Sequence, residues 1–453
     1  MFNCTFVILG ATGDLTRRKL IPAIYRLIRD KKIKNFSIIG AALPKKTKIE
    51  VLSEAKKFIK NYDSATWKIL QTNFHYFQFD FHDFDRYKTL NKKLEAIEKK
   101  QKLSGNRIFY LATMPEHFSS ITKNLANVGI VEKTISLPNK QSPWVRIVYE
   151  KPFGYDLKSS QKINRDISKI FKEEQIYRID HYLGKDLVGD IALIRFTNSI
   201  FEPLWNNKHI HSVHIVLSEN IGIEGRGEFY DSTGVVNDIL QSHILQLLAL
   251  TSMEPPKRLA GKFIRDAKSN VLKKVKLTSA VLGQYEGYKS EKGVKKDSKT
   301  ETFVTAKLFI NNRRWKGVPF FVKAGKCLDK KEVSIKIVFK RIKCLLDSCP
   351  SEPNYLTISI QPEEGFYLGM NSKLPGKYEV IPIRMDFCHS CLFGTNTPEA
   401  YENLLIDVMR GDQSVFLRRD EIEQSWKIVE QLKSKKLKVH KYKKGTNGPE
   451  VKL

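Results

Sequence analysis

Phe6-Val7-Ile8-Leu9-Gly10-Ala11-Thr12-Gly13-Asp14-Leu15 is the stretch on which the fold turns. Four apolar residues read as a buried strand. A glycine turn follows, and then Leu20, Ile21, Ile24, Leu27 and Ile28 recur at helical spacing. Strand, glycine turn and helix in that order make the place where a dinucleotide phosphate can sit. Gly10 permits the tight turn, and Gly13 lets a pyrophosphate reach the free amides at the helix start. The usual third small residue falls at position 16, which is Thr16. An ordinary strand–helix turn could carry the same glycine pair, so the next strand, Phe36–Ala41, is what favours the nucleotide reading. That strand runs into Gly40-Ala41-Ala42-Leu43 without the acid that holds a ribose hydroxyl in NAD sites. Lys45, Lys46 and Lys48 follow it, and Arg17 and Arg18 stand nearby on the helix. Cations where an acid is expected favour a 2′-phosphate, hence NADP.

The alternation continues outward from this unit. Strands are predicted at Thr5–Leu9, Phe36–Ala41, His75–Asp80, Arg107–Ala112 and Val145–Tyr149, and together they imply a doubly wound parallel sheet. Beyond residue 210 the pattern changes. His211–Leu217, Thr302–Ile310, Val318–Val322, Val333–Phe339 and Tyr355–Gln361 are strand-like, and few helices separate the last four. The expected fold is an α/β Rossmann-like coenzyme domain over residues 1–177. An α+β domain with a large, mostly antiparallel sheet follows over 178–453. Lys289–Lys299 reads as a surface loop, and the tail Lys435–Leu453 as no more than an ordered edge.

Composition narrows the function classes. In 453 residues, 41% hydrophobic content excludes a disordered chain. No apolar run reaches membrane-spanning length; Ile244–Leu250 is short and contains Gln246. The N-terminus lacks a secretory pattern, and six cysteines over this length are no disulfide framework, so a cytoplasmic protein is expected. The net charge of +29 would suit nucleic acid. The basic residues are dispersed, however, and no recognition motif accompanies them, so a solvated lysine-rich surface is favoured and no nucleic-acid or membrane partner is expected.

Two further clusters carry chemistry. Arg178-Ile179-Asp180-His181-Tyr182-Leu183-Gly184-Lys185 puts an acid, a histidine, a phenol and an amine within six residues. On a helix His181 and Lys185 would share a face and could clamp one anion; the plainer reading is a hydrogen-bonded surface turn. The amphipathic run Val235–Leu250 carries Asp238 and His243. Ordinary helical geometry sets residues five apart about 140° from each other. One ligand could then meet both only by spanning the helix face or beside an irregular turn. His243 taken alone reads as a core histidine as readily as a base.

These residues also resemble a known family. Val148-Tyr149-Glu150-Lys151-Pro152-Phe153-Gly154 and the block Arg178–Lys185 are similar to signatures of the glucose-6-phosphate dehydrogenases. Gly10–Leu15 resembles that family's coenzyme loop. Gly225-Arg226-Gly227, Tyr230-Asp231, Gly234 and Asp238–His243 resemble its sugar-binding region. Gly317-Val318-Pro319-Phe320 with Gly325-Lys326, then Leu405-Ile406-Asp407-Val408, then Gly445-Thr446-Asn447-Gly448-Pro449, follow in family order. The resemblance implies oxidation of D-glucose 6-phosphate to 6-phospho-D-glucono-1,5-lactone with hydride transfer to NADP⁺, the first step of the oxidative pentose phosphate pathway. It makes His243 the general base, held by Asp180. It gives the substrate phosphate to His181, Tyr182 and Lys185. Glu219 and Asp238 would take sugar hydroxyls, and Lys326 and Lys331 the sugar or its phosphate. Lys151 would lie between coenzyme and substrate, ahead of a proline suited to a cis bond. The coenzyme would meet Gly10, Ala11, Thr12, Gly13, Asp14, Leu15, Arg17, Lys45 and Lys46, with Asp80 and Phe81 bordering its adenosine half. A homodimer or homotetramer built through the second domain's sheet is implied.

Three departures qualify the resemblance. Leu43 stands where the family usually has an arginine for the 2′-phosphate, which opens dual or NAD use unless Lys45, Lys46 or Arg17 substitutes. Lys331 replaces an arginine found in some members, exchanging a bidentate grip for a point charge. The chain stops soon after Pro449, so a single coenzyme site per subunit is expected. Cys388-His389-Ser390-Cys391 lies outside the pattern. It is half of a zinc site, which Cys344 and Cys349 could complete at unusual spacing, and free cytosolic thiols are favoured over metal. A basic nucleic-acid binder and a catalytically silent assembly subunit remain the alternatives. The intact set Asp180, His181, Lys185 and His243 argues against silence.

Overall fold

The structure is a computed structural model that describes residues 2–131, 143–343, 352–377, 379–388, 391–392, 394 and 399–451. The chain forms two compact units. The first comprises Met1–Lys185, Ala260–Lys262 and Pro398–Arg419; the second comprises Asp186–Leu259, Phe263–Thr397 and Asp420–Leu453.

Six parallel strands build the first unit: β1 (Phe2–Leu9), β2 (Ile33–Ala42), β3 (Phe74–Gln78), β4 (Arg107–Leu111), β5 (Val145–Tyr149) and β6 (Ile176–Arg178). Their order is β3-β2-β1-β4-β5-β6. β1 is central and buried from Cys4 to Leu9, as a parallel strand covered on both faces must be. Chain direction across the sheet reverses between β1 and β4, which pair from Thr5↔Arg107 to Leu9↔Leu111. Ligands of such sheets bind outside the carboxyl ends of the strands at that reversal. Gly10 follows Leu9 directly, so the glycine turn stands there.

A helix from far along the chain completes this unit. Tyr401, Leu404, Leu405, Val408 and Met409 of helix Ala400–Arg410 share a core with Ile21, Ile24 and Leu27. The Arg26 guanidinium meets Glu402 at 2.5 Å, and Arg146 donates to the carbonyls of Val408 and Met409 at 2.5 and 2.7 Å. The latter pair satisfies carbonyls that the helix C-terminus leaves open.

In the second unit a nine-stranded sheet runs β14-β13-β12-β11-β7-β10-β9-β8-β15. Its strands are β7 (Ile210–Ser218), β8 (Val275–Tyr285), β9 (Phe303–Ile310), β10 (Phe320–Gly325), β11 (Glu332–Phe339), β12 (Tyr355–Gln361), β13 (Gly365–Lys373), β14 (Val380–Cys388) and β15 (Val439–Tyr442). Pairing is antiparallel except for β7 with β10 and β8 with β15. The expected α/β domain and large, mostly antiparallel sheet are both present.

Several details differ from expectation. The seam between units falls after Lys185 rather than at 177/178, because the Asp180–Lys185 turn packs with the first unit: a side chain at Gly184 would strike Leu404 Cγ at 2.7 Å. β6, only three residues long, escaped the sequence pattern. So did β8, β13 and β14, the last although Ile381, Ile383, Met385 and Phe387 alternate with Pro382, Arg384 and Asp386. β10 begins at Phe320 instead of Val318; Val318 still belongs to a turn, its amide bonded to the Trp315 carbonyl at 3.0 Å. The tail does supply an ordered edge: β15 ends the sheet through four residues paired with β8. Cys388 and Cys391 are joined in a disulfide, so they are not the free thiols that were favoured. Cys344 and Cys349 lie outside the described residues.

Candidate active site

In the first unit the glycine turn is closed by its own polar groups. Gly10 has φ +96°, and a Cβ there would stand 2.3 Å from the Ala112 carbonyl oxygen, so only glycine fits. The Gly13 amide donates to the Gly10 carbonyl at 3.0 Å, and the Thr16 hydroxyl donates to the same oxygen at 3.0 Å. Thr16 is thus no defect in the fingerprint; its fully buried side chain ties the turn together. The helix then starts in a π register over Thr16–Leu20. Asp14 accepts from Arg17 at 2.7 Å and from Arg18 at 2.8 Å. Burial raises the Asp14 carboxyl, but the two guanidiniums outweigh it and hold the group below its ordinary value.

The residues proposed near the adenosine end are laid out beyond β2 and β3. Leu43 is 61% exposed. Lys46 is already paired with Glu54, whereas Lys45 makes no ion pair among the described residues. Asp80 accepts the His82 amide at 2.9 Å, and the Phe81 ring lies 5.6 Å from that of His117. The Lys151–Pro152 bond is cis.

Asp180–Lys185 is a hydrogen-bonded turn, not a helix. The Leu183 amide bonds to the Asp180 carbonyl at 3.0 Å, and that of Lys185 to Tyr182 at 3.2 Å. Asp180 also accepts the Tyr182 amide at 3.1 Å. It is a buried turn: Asp180 is 1% and Tyr182 8% exposed. The Lys185 ammonium sits 5.0 Å from the Tyr182 ring centre, and the His181 ring 4.8 Å from it, so three groups suited to an anion crowd one short segment.

Sequence reasoning quoted Glu150 but gave it no task. Its buried carboxylate accepts from the Tyr110 hydroxyl and, at 3.2 Å, from Tyr401. Burial pushes its pKa up to about 7, against the pull of both phenols and of Lys151; Asp180 adds to the push. No local pattern could have found this trio, since Tyr401 arrives 251 residues later in the chain.

The second unit assembles its own cluster at the end of a parallel ladder. β7 and β10 pair up to Ser218↔Gly325, so Glu219 and Lys326 leave the two strands side by side. Their side chains form an ion pair, and Lys326 is only 3% exposed. The Lys326 ammonium also lies 5.3 Å from the Tyr230 ring centre. Burial raises the Tyr230 hydroxyl far above its ordinary value, helped by Asp238, Glu301, Tyr442 and Glu219. Lys331 is exposed just before β11.

Asp238 and His243 sit on Val236–Ile244, which is a π-helix rather than an α-helix. The register hydrogen-bonds residues five apart, so side chains at positions 238 and 243 come round to one side instead of diverging by about 140°. The irregularity begins at Gly234, φ +69°, where a Cβ would meet Glu301 Oε1 at 2.5 Å. Glu301 accepts the Val236 amide at 3.2 Å and its own carbonyl takes that of Val235 at 3.0 Å, which pins the start of the π-helix. His243 is 1% exposed and Asp238 half-buried. The π register and Glu301 are the two features that periodicity did not reveal.

Both units match models of one family. Residues 7–190 match the glucose-6-phosphate dehydrogenase NAD binding domain, and residues 192–452 match the C-terminal domain of the same enzyme. The chain belongs to the glucose-6-phosphate dehydrogenase family. It is 40% identical to the glucose-6-phosphate 1-dehydrogenase of Chlamydia muridarum, over 95% of this chain and 89% of that one. It is 39% identical to that of Bacillus subtilis, over 99% and 95%. A solved glucose-6-phosphate dehydrogenase in complex with its substrate glucose-6-phosphate superimposes with a TM-score of 0.91 at 33% identity, covering 99% of this chain and 96% of that one. No helix among the described residues is long and apolar enough to cross a membrane.

Proposed function

We propose that this member of the dehydrogenase family oxidises D-glucose 6-phosphate to 6-phospho-D-glucono-1,5-lactone and passes the hydride to NADP⁺. The observation that carries the reading is the cluster in the second unit. An ion pair between Glu219 and the buried Lys326 closes one parallel ladder, and a π-helix presents Asp238 and His243 on one side. Carboxylates and an ammonium are what a polyol with a phosphate requires, and an imidazole is what its proton requires.

The roles follow. His243 takes the anomeric hydroxyl proton and Asp180 steadies the resulting imidazolium. Glu219 and Asp238 accept hydrogen bonds from sugar hydroxyls and orient the ring. His181, Tyr182 and Lys185 hold the phosphate, with Lys326 and Lys331 contributing charge. The turn Gly10–Leu15 holds the coenzyme pyrophosphate at the carboxyl end of β1, where the glycine turn opens the helix. The nicotinamide supplies the hydride acceptor, and Lys151 stands between it and the sugar. With Arg17 tied to Asp14 and Lys46 to Glu54, Lys45, like Lys48, can meet a 2′-phosphate without first breaking an ion pair among the described residues. We further propose a cytoplasmic enzyme that is at least dimeric through its nine-stranded sheet.

The deciding experiment is a spectrophotometric assay of purified protein with glucose 6-phosphate, comparing NADP⁺ and NAD⁺ under matched conditions. Turnover with preference for NADP⁺ is expected, and Lys45→Ala should erode that preference. Absence of sugar-phosphate oxidation with either coenzyme would overturn the reading. Equal use of both coenzymes would overturn the assignment to NADP.

A further inference from the structure

A cavity of about 630 Å³ lies wholly within the second unit. Its rim is set by Lys289, Lys299, Lys433, Lys436, Lys438 and Lys441. These lysines are exposed, and among the described residues none of them makes an ion pair. The walls beneath are apolar, with Leu282, Leu432, Leu437 and Val439. The floor reaches Val236 and Glu301, the two residues joined at the start of the π-helix.

Those features define a ligand. Six ammonium groups around one opening attract an anion with several negative charges, and lysines serve as mobile point charges for phosphate oxygens. An inorganic anion would leave the apolar walls facing water. The volume falls in the range of small-molecule sites, roughly 300–1,000 Å³, and suits a ring system below a phosphate chain. Gln284 lines the same wall, its amide nitrogen donating to the Ser298 and Thr300 carbonyls at 3.3 and 2.9 Å, which leaves its carbonyl side for a polar ring edge. Glu301 is the single acid of the lining. Burial raises its pKa, while the Val236 amide and Lys433 oppose that rise.

We propose that this cavity is a second ligand site, built for a nucleoside polyphosphate, and that its occupancy lowers turnover through the π-helix. Phosphates bind the lysine rim and the nucleoside fills the apolar interior. The nucleoside then abuts Val236 and Glu301, whose hydrogen bond fixes the helix carrying Asp238 and His243. Displacing that bond loosens the register that sets those two side chains on one side. Binding itself does not depend on the proposed sugar-phosphate oxidation; the effect on turnover rests on that reading.

The test uses full-length protein saturated with NADP⁺, so that the glycine turn is filled. ATP without magnesium is titrated by calorimetry, in parallel with inorganic tripolyphosphate. One ATP site per chain is expected, with affinity falling as salt rises. The double variant Lys436→Glu/Lys438→Glu, both on the exposed rim, should weaken ATP by about tenfold or more and leave basal turnover unchanged. Tripolyphosphate should bind at least about tenfold more weakly than ATP. In the assay, ATP should lower kcat without raising KM for glucose 6-phosphate, and the double variant should lose that response. No ATP binding, or binding indifferent to the two charge reversals, overturns the site. Tripolyphosphate as tight as ATP overturns the nucleoside assignment. Binding that leaves kcat unaltered overturns the coupling, and an inactive enzyme that still binds ATP leaves the site standing while sinking the catalytic reading.

Discussion

At the scale of single residues, the functional assignments separate by which kinetic constant they move. His243→Asn keeps the size of the side chain and removes the base. Turnover should fall by about 10²–10⁴-fold with KM for glucose 6-phosphate nearly unchanged, because proton transfer belongs to the transition state. A raised KM at unaltered kcat in steady-state assays would contradict the role. Lys185→Ala should act on the ground state instead. It should lower kcat/KM for glucose 6-phosphate much more than for glucose, since only the former offers the ammonium a phosphate. Equal losses for the two sugars would show that the lysine holds something else. Glu150 makes a stability prediction. Its pKa is raised from 4.5 to about 7, chiefly by burial, so the folded protein binds this proton more tightly than the unfolded chain. Its contribution therefore falls as pH rises from about 4.5 to about 7 and is flat above, with a limiting slope of about 1.4 kcal/mol per pH unit. Glu150→Gln keeps the Tyr110 and Tyr401 partners and cannot ionise. Urea unfolding should find the variant more stable than the parent at pH 8 and comparable at pH 5.

The element that matters most is the helix Val236–Ile244. Its residues were legible as apolar and amphipathic, and Asp238 and His243 were legible as chemistry. Their common side was not, because a period of 3.6 is the assumption under which sequence patterns are read. What changes the period is Glu301 packed on Gly234, and a contact between residues so far apart in the chain leaves no periodic trace. Gly234→Ala tests this. The new methyl would meet the carboxylate oxygen at a backbone angle that L-residues avoid. A stability loss of about 1–3 kcal/mol is expected in denaturant unfolding, together with a drop in kcat as the register slips. An unaltered kcat alongside lost stability would show that the π register serves packing alone. The glycine turn is the opposite case. Gly10 and Gly13 announced it locally, and even Thr16, which looked like a departure, is satisfied within six residues.

For the whole molecule, alternating strands and helices revealed the parallel sheet, and closely spaced strands revealed the antiparallel one. What stayed hidden is how far the chain travels to finish each unit. Helix Ala400–Arg410 belongs with residues near the start, and β15 closes a sheet whose neighbouring strand began at Val275. Neither liaison has a local signature; β15 lies in a lysine-rich stretch that reads as solvated tail. Ending the chain after Lys435 removes β15 and uncovers β8, an eleven-residue strand. Size-exclusion chromatography of that variant should find aggregated material where the intact chain elutes as a defined species, since an open edge recruits other strands.

That late return of the chain has a bearing on biosynthesis. On the ribosome, the first unit waits for its last helix until after residue 410, and the second waits for its edge strand until residue 442. Both therefore reach completion close together, between residues 410 and 442, and a nascent polypeptide stalled well before them carries two unfinished halves rather than one mature domain and one to come.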